Sequence, residues 1–104
     1  MKVTGKCKED FEKWRISKKD SYLKHCFFED LDDSMQYGVL IDFFDSVGIR
    51  ILIDMDFGNF VFNKFVLYIE YKKNCFCNYG MNFKTRQEAR TAAVKMANEI
   101  YNSK

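Results

Sequence analysis

The sequence has no proline and only one histidine in 104 residues. Without proline, no position has its φ locked or its backbone donor removed, and nothing marks a polyproline spacer. His25 alone cannot make a histidine-rich metal site. Its one nearby nucleophile is the adjacent Cys26, and neighbouring side chains usually diverge, so His25 reads as a surface or half-buried residue. Long apolar runs are missing as well: no stretch approaches the ~18–20 uncharged residues that a membrane helix needs. The opening MKVTGKCKEDFEKW is charged throughout and lacks the apolar centre of a signal peptide, so a cytoplasmic protein without membrane association is expected. Glycine, at five, is too sparse for a flexible linker, and there is no repeat or low-complexity tract. One domain over 1–104 is the expectation.

Four cysteines stand at positions 7, 26, 75 and 77. Without an export signal they read as reduced thiols rather than a disulfide framework. Cys75-x-Cys77 with Cys26 and His25 lacks the paired CxxC spacings of a zinc site, so neither metal nor cofactor is expected.

Apolar material is plentiful, at 47%, with eleven Phe and six Tyr to fill a core. The net charge of +2 conceals a division along the chain. Residues 1–25 carry eight basic and four acidic side chains, and residues 60–104 carry eight and three. Between them, 26–59 hold eight acidic residues against Arg50 alone. Such asymmetry bears on partners more than the total does.

Residues 8–18 predict a short helix with Phe11 and Trp14 on one side, and 19–33 read as irregular. Asp33-Ser34 offers an N-cap for a helix over 34–47, closed by Gly48. Its apolar positions, Tyr37, Val39, Leu40, Ile41, Phe43, Phe44 and Val47, sweep an arc too wide for one neighbour, leaving Gly38, Asp42 and Asp45 outside. Three segments then alternate with period two: 49–57, 65–72 and 75–83. A three-residue turn at 72–74 would set Tyr71 opposite Cys75 and Ile69 opposite Cys77. An odd-length loop near Gly58 would set Ile53 opposite Phe65. Finally, Thr85-x-x-Glu88 is a capping box ahead of an alanine-faced helix over 85–102. The predicted fold is α+β: a two-layer α-β-β-β-α core over 34–102, with a three-stranded antiparallel meander, two helices on one face, and residues 1–33 as an N-terminal extension.

Asp54 and Asp56 with Glu70-Tyr71-Lys72 resemble the carboxylate pattern of the restriction-endonuclease superfamily. The expected register separates Asp54 from Glu70 by ~20 Å at strand rise, too far to share an ion. No catalytic residue is assigned, and a non-enzymatic protein is expected. The α-β-β-β-α order and KTRQEARTAAVKMA (84–97) resemble double-stranded RNA-binding domains, which implies phosphate contacts from Lys84, Arg86 and Arg90. The Gly-Pro-x-His loop of that family has no counterpart in DFGNFVFNK (56–64). The runs 33–51 and 83–102, with Phe11–Trp14, resemble small uncharacterised proteins of gut Bacteroidales and their phages, which implies an accessory protein that binds a host or phage component. Candidate protein-binding residues are the acidic Asp32, Asp33, Asp42 and Asp45 and the outward sheet residues Leu52, Val66, Tyr68 and Phe76. Cover of that outer face by the N-terminal segment, through Trp14, Phe27 or Phe28, is the preferred alternative to an open surface. The partner's identity and the oligomeric state are not legible.

Overall fold

The computed structural model describes residues 2–17, 28–56, 64–77 and 83–103. In chain order these form helix α1 (Gly5–Ser17), a 3-10 turn at Phe28–Asp30, helix α2 (Asp33–Ser46), strands β1 (Ile49–Asp56), β2 (Lys64–Tyr71) and β3 (Asn74–Cys77), and helix α3 (Arg86–Asn102). The result is a mixed α+β globule of three helices and an antiparallel sheet, in the strand order β1-β2-β3. No described helix is long and apolar enough to cross a membrane.

Local chemistry sets the helix ends. The carboxylate of Asp32, one residue earlier than expected, caps α2 by accepting from the amide of Met35 at 2.8 Å. Gly48 ends that helix at φ +85°, a left-handed conformation that costs glycine nothing. At α3, Thr85 Oγ1 accepts from the Glu88 amide at 3.1 Å. The returning Glu88 carboxylate accepts from the backbone amide of Lys84, at 3.2 Å, rather than from that of Thr85 itself.

In β1 and β2 the register pairs Ile51 with Ile69 and Ile53 with Leu67, two residues from the expected pairing. An even slip preserves the face because side chains alternate with period two. Ile49, Leu67 and Ile69 are therefore fully buried, with Ile51, Ile53 and Tyr71 packed at the margin.

The β2–β3 hairpin corrects the expectation more sharply. Its turn has two residues, not three: Lys72 and Lys73 both take positive φ, 49° and 68°, the signature of a type I′ turn whose twist suits a hairpin. Tyr71 thus pairs with Asn74 and Ile69 with Phe76, while Cys75 and Cys77 pair with Glu70 and Tyr68. The backbone pairing of β3 is thus one residue off the expected register, an odd shift that does not keep the predicted alternation. β3 is four residues long, and the rest of the expected strand meets the sheet again at a bridge between Phe83 and Phe65. Residues 78–82 lie outside the described residues.

Helices α2 and α3 pack on the buried face of the sheet, α2 mainly on β1 and α3 on both β1 and β2. The N-terminal helix departs from expectation. Instead of crossing the outer sheet face, α1 packs on α3 and α2. Phe11 meets Phe28 and Phe43 edge-on at 5.1 and 5.4 Å, and Trp14 meets Phe43 at 5.7 Å. Phe11 and Phe28, both buried, and the half-buried Trp14 therefore extend the core on the helical side, where a fully buried ring contributes about 1.5–3 kcal/mol. Phe27 lies outside the described residues.

Two asparagines fasten this arrangement. Asn98 Oδ1 accepts from the Thr4 amide at 2.8 Å, and its Nδ2 donates to Thr4 Oγ1 at 3.0 Å. One turn later, Asn102 Nδ2 donates to the Thr4 carbonyl at 2.9 Å while its Oδ1 accepts from the Cys7 amide at 2.9 Å. The last bond satisfies one of the donors that a helix start leaves unpaired.

Candidate interaction surface

Helices α2 and α3 begin at the same end of the molecule, so the start of each borders the other. Gln87 Nε2 donates to Asp33 Oδ2 at 3.3 Å, and Arg90 Nη1 donates to Ser34 Oγ at 3.2 Å. The Arg90 guanidinium stands 4.9 Å from the centre of the Tyr37 ring, and that of Arg86 stands 5.4 Å from Phe65. Both are cation–π distances. Burial raises the Tyr37 hydroxyl pKa, and the nearby Arg90 charge opposes the rise.

Just before α2, the 3-10 turn presents exposed Glu29 and Asp30. Buried Gln36 holds this turn by donating from Nε2 to the carbonyls of Phe28, at 3.2 Å, and Leu31, at 3.1 Å. The acidic candidates Asp32 and Asp33 and the basic candidates Lys84, Arg86 and Arg90 consequently belong to one surface. Sequence reading had treated them as rival sites.

The remaining candidates lie elsewhere. Asp42 and Asp45 are exposed farther along α2. Asp45 lines a cleft of about 300 Å³ with Gly48, Arg50, Glu70 and Lys72. On the outer sheet face Leu52 is 57% exposed, Tyr68 half-buried and Val66 buried. The backbone of Phe76 pairs with Ile69 rather than with Glu70 as expected. A second cavity, of about 540 Å³, opens beside α1 over Val3, Phe11 and Phe28, with Lys2, Lys8 and Glu29 at its rim.

For catalysis the register matters again. Asp54 pairs with Val66 and lies four residues from the level of Glu70, about 13 Å at strand rise. That is closer than the expected separation, yet still beyond a shared ion. Among the described residues, no group of three His, Cys, Asp or Glu side chains could hold a metal. His25 and Cys26 lie outside the described residues.

Sequence reading missed Asn98, Asn102 and the pair Tyr101–Asp10, in which the phenol donates to the carboxylate. Burial first, and then the Asp10 carboxylate, push the Tyr101 pKa up to about 12. The same hydrogen bond, supported by Lys6, lowers that of Asp10. Two asparagines spaced i, i+4 on an alanine-rich helix were the available signal. Compared with models of protein families, with curated proteins and with solved structures, the chain matches none.

Proposed function

We propose that this chain is a small non-enzymatic binding module of the cytoplasm that acts through protein–protein contact, as a phage or mobile-element accessory protein would. The single observation that supports this reading most is the engagement of Arg90 by Ser34 and Tyr37 beside Asp33. Phosphate binding draws its free energy from counterion release at cationic surfaces. Here the basic start of α3 sits against the acidic approach to α2, which weakens attraction for a polyanion. A surface of mixed charge over aromatic rings suits a protein partner that carries complementary charges. The resemblance of 33–51 and 83–102 to small phage-associated proteins supports the accessory role.

The second reading, a nucleic-acid binder of the double-stranded RNA-binding type, is favoured by exposed Lys84 and Arg86 at the start of α3. Two measurements separate the readings. In a gel shift at low salt, duplex RNA and duplex DNA are expected to show no saturable binding. In affinity capture from a bacterial lysate, the wild type is expected to retain a protein that the variant Glu29→Lys, Asp30→Lys, Asp33→Lys loses. Asp32 is kept in that variant because it caps α2. A salt-sensitive shift abolished by Arg86→Glu with Arg90→Glu, and no retained protein, would reverse the preference.

A further inference from the structure

Among the described residues, strand β1 forms one edge of the sheet, and it runs for eight residues without proline or glycine. Long, regular edge strands are templates for pairing, and proteins usually blunt them with proline, bulges or lysine. β1 has none of these. Its sequence is instead symmetric in character about Leu52: Ile51 and Ile53 flank it, then Arg50 and Asp54, then Ile49 and Met55.

We propose that the outer edge of β1 pairs antiparallel with the same edge of a second copy of this chain, on a two-fold axis at Leu52, joining two sheets into one of six strands. Ile49, Ile51 and Ile53 belong to the helix-covered face, so a continuous sheet with helices on one side requires residues of like parity to oppose each other. Centring on Leu52 sets Arg50 against Asp54 of the second copy, twice by symmetry. Centring on Ile53 would set Leu52 against Asp54, and centring on Ile51 would set Leu52 against Arg50. Only the Leu52 axis brings the exposed leucine, at 57%, against its own copy.

The inner neighbours extend the match. Within one chain Leu52 pairs with Tyr68 and Arg50 with Glu70. Across the axis the outer face then carries an apolar row, Tyr68, Leu52 and their two counterparts. Beside it Arg50 lies between Glu70 of its own chain and Asp54 of the other. Like-with-like and opposite-with-opposite pairs across strands are the stabilising kind. This dimer does not depend on the partner proposed above, whose residues are at the starts of α2 and α3.

The test uses the full chain in sedimentation over a concentration series, with far-ultraviolet circular dichroism to verify folding. The wild type is expected to form dimers. Arg50→Asp and Asp54→Arg, each alone, are expected to dimerise roughly tenfold more weakly, because like charges then face each other at both symmetric pairs. An equimolar mixture of the two variants restores opposite charges at both pairs and is expected to recover the wild-type affinity. Leu52→Lys, which leaves the core untouched, is expected to be monomeric. A wild type that stays monomeric, single variants that dimerise as it does, or a mixture no tighter than its components would overturn the proposal.

Discussion

The side chain of Asn102 receives the backbone amide of Cys7 at 2.9 Å across 95 positions of sequence, so the last turn of α3 caps the first turn of α1. The capping group therefore comes from the far end of the chain. Replacing a capping side chain by alanine costs about 0.5–2 kcal/mol. Asn102→Ala also removes the bond to the Thr4 carbonyl, so a loss of about 2 kcal/mol is expected. Asn102→Asp keeps an acceptor for Cys7 but loses the donor for Thr4, and should fall between the two. Urea unfolding of the three proteins checks the order.

Tyr101 and Asp10 carry a pH dependence of definite sign. Asp10 has a lowered folded pKa, so its contribution is present above the unfolded carboxylate pKa and is lost as pH falls through the folded value. Tyr101 has its pKa raised to about 12. Its contribution is complete below the unfolded pKa of about 10 and is lost as pH rises from there towards 12. The stability difference between wild type and Tyr101→Phe should thus form a plateau across neutral pH and shrink at both extremes. Denaturant midpoints measured from acid to alkali check this, and a difference that stays constant above pH ~11 would refute the assigned role.

The Lys72-Lys73 turn holds two side-chain-bearing residues in the left-handed region, where an L-residue pays roughly 1–2 kcal/mol. Lys72 has a compensating position over the Tyr71 ring, at 5.2 Å. Lys73→Gly removes the steric cost without touching that contact and is expected to stabilise the protein by about 1 kcal/mol. For a domain of this size the thermal midpoint should rise by roughly 4–8 °C.

This turn also shows where the sequence was legible. Helix α2, predicted at 34–47, spans Asp33–Ser46, and α3, predicted at 85–102, spans Arg86–Asn102. Caps and apolar spacing are local, and local signals are enough for helices. The inward parity of β1 and β2 was readable for the same reason. Registers were not. A type I′ turn normally announces itself with Asn-Gly or Gly, and Lys-Lys gives no such sign. The pairing of β1 with β2 depended on a connection, 57–63, whose sequence allows several odd lengths. The meeting of Asp33 with Gln87 and of Ser34 with Arg90 was equally hidden, because it follows from laying two helices side by side. So was the docking of α1: Asn98 and Asn102 resemble surface residues until Thr4 is brought against them.

Phe43 joins the N-terminal helix to everything else. Its ring lies 5.4 Å from Phe11, 5.7 Å from Trp14, 5.5 Å from Phe44 and 5.7 Å from Tyr101, and it is 1% exposed. Phe43→Ala forfeits both the transfer of the ring and the packing of the cavity left behind, about 3–5 kcal/mol. Phe43→Leu keeps most of the volume and should cost less, near 1–2 kcal/mol. Trp14 is the sole tryptophan of the chain, stacked on Phe11 and edge-on to Phe43, so its fluorescence reports directly on the docking of α1. In Phe43→Ala the Trp14 emission should move to longer wavelength at denaturant concentrations that leave the far-ultraviolet signal of α2 and α3 in place. In the wild type the two signals should change together, since α1 is then part of the common core. Coincident transitions in Phe43→Ala would mean that α1 is held to α3 mainly by the Asn98 and Asn102 bonds rather than by the aromatic cluster, and the Asn102→Ala variant would then be the one to show the early change.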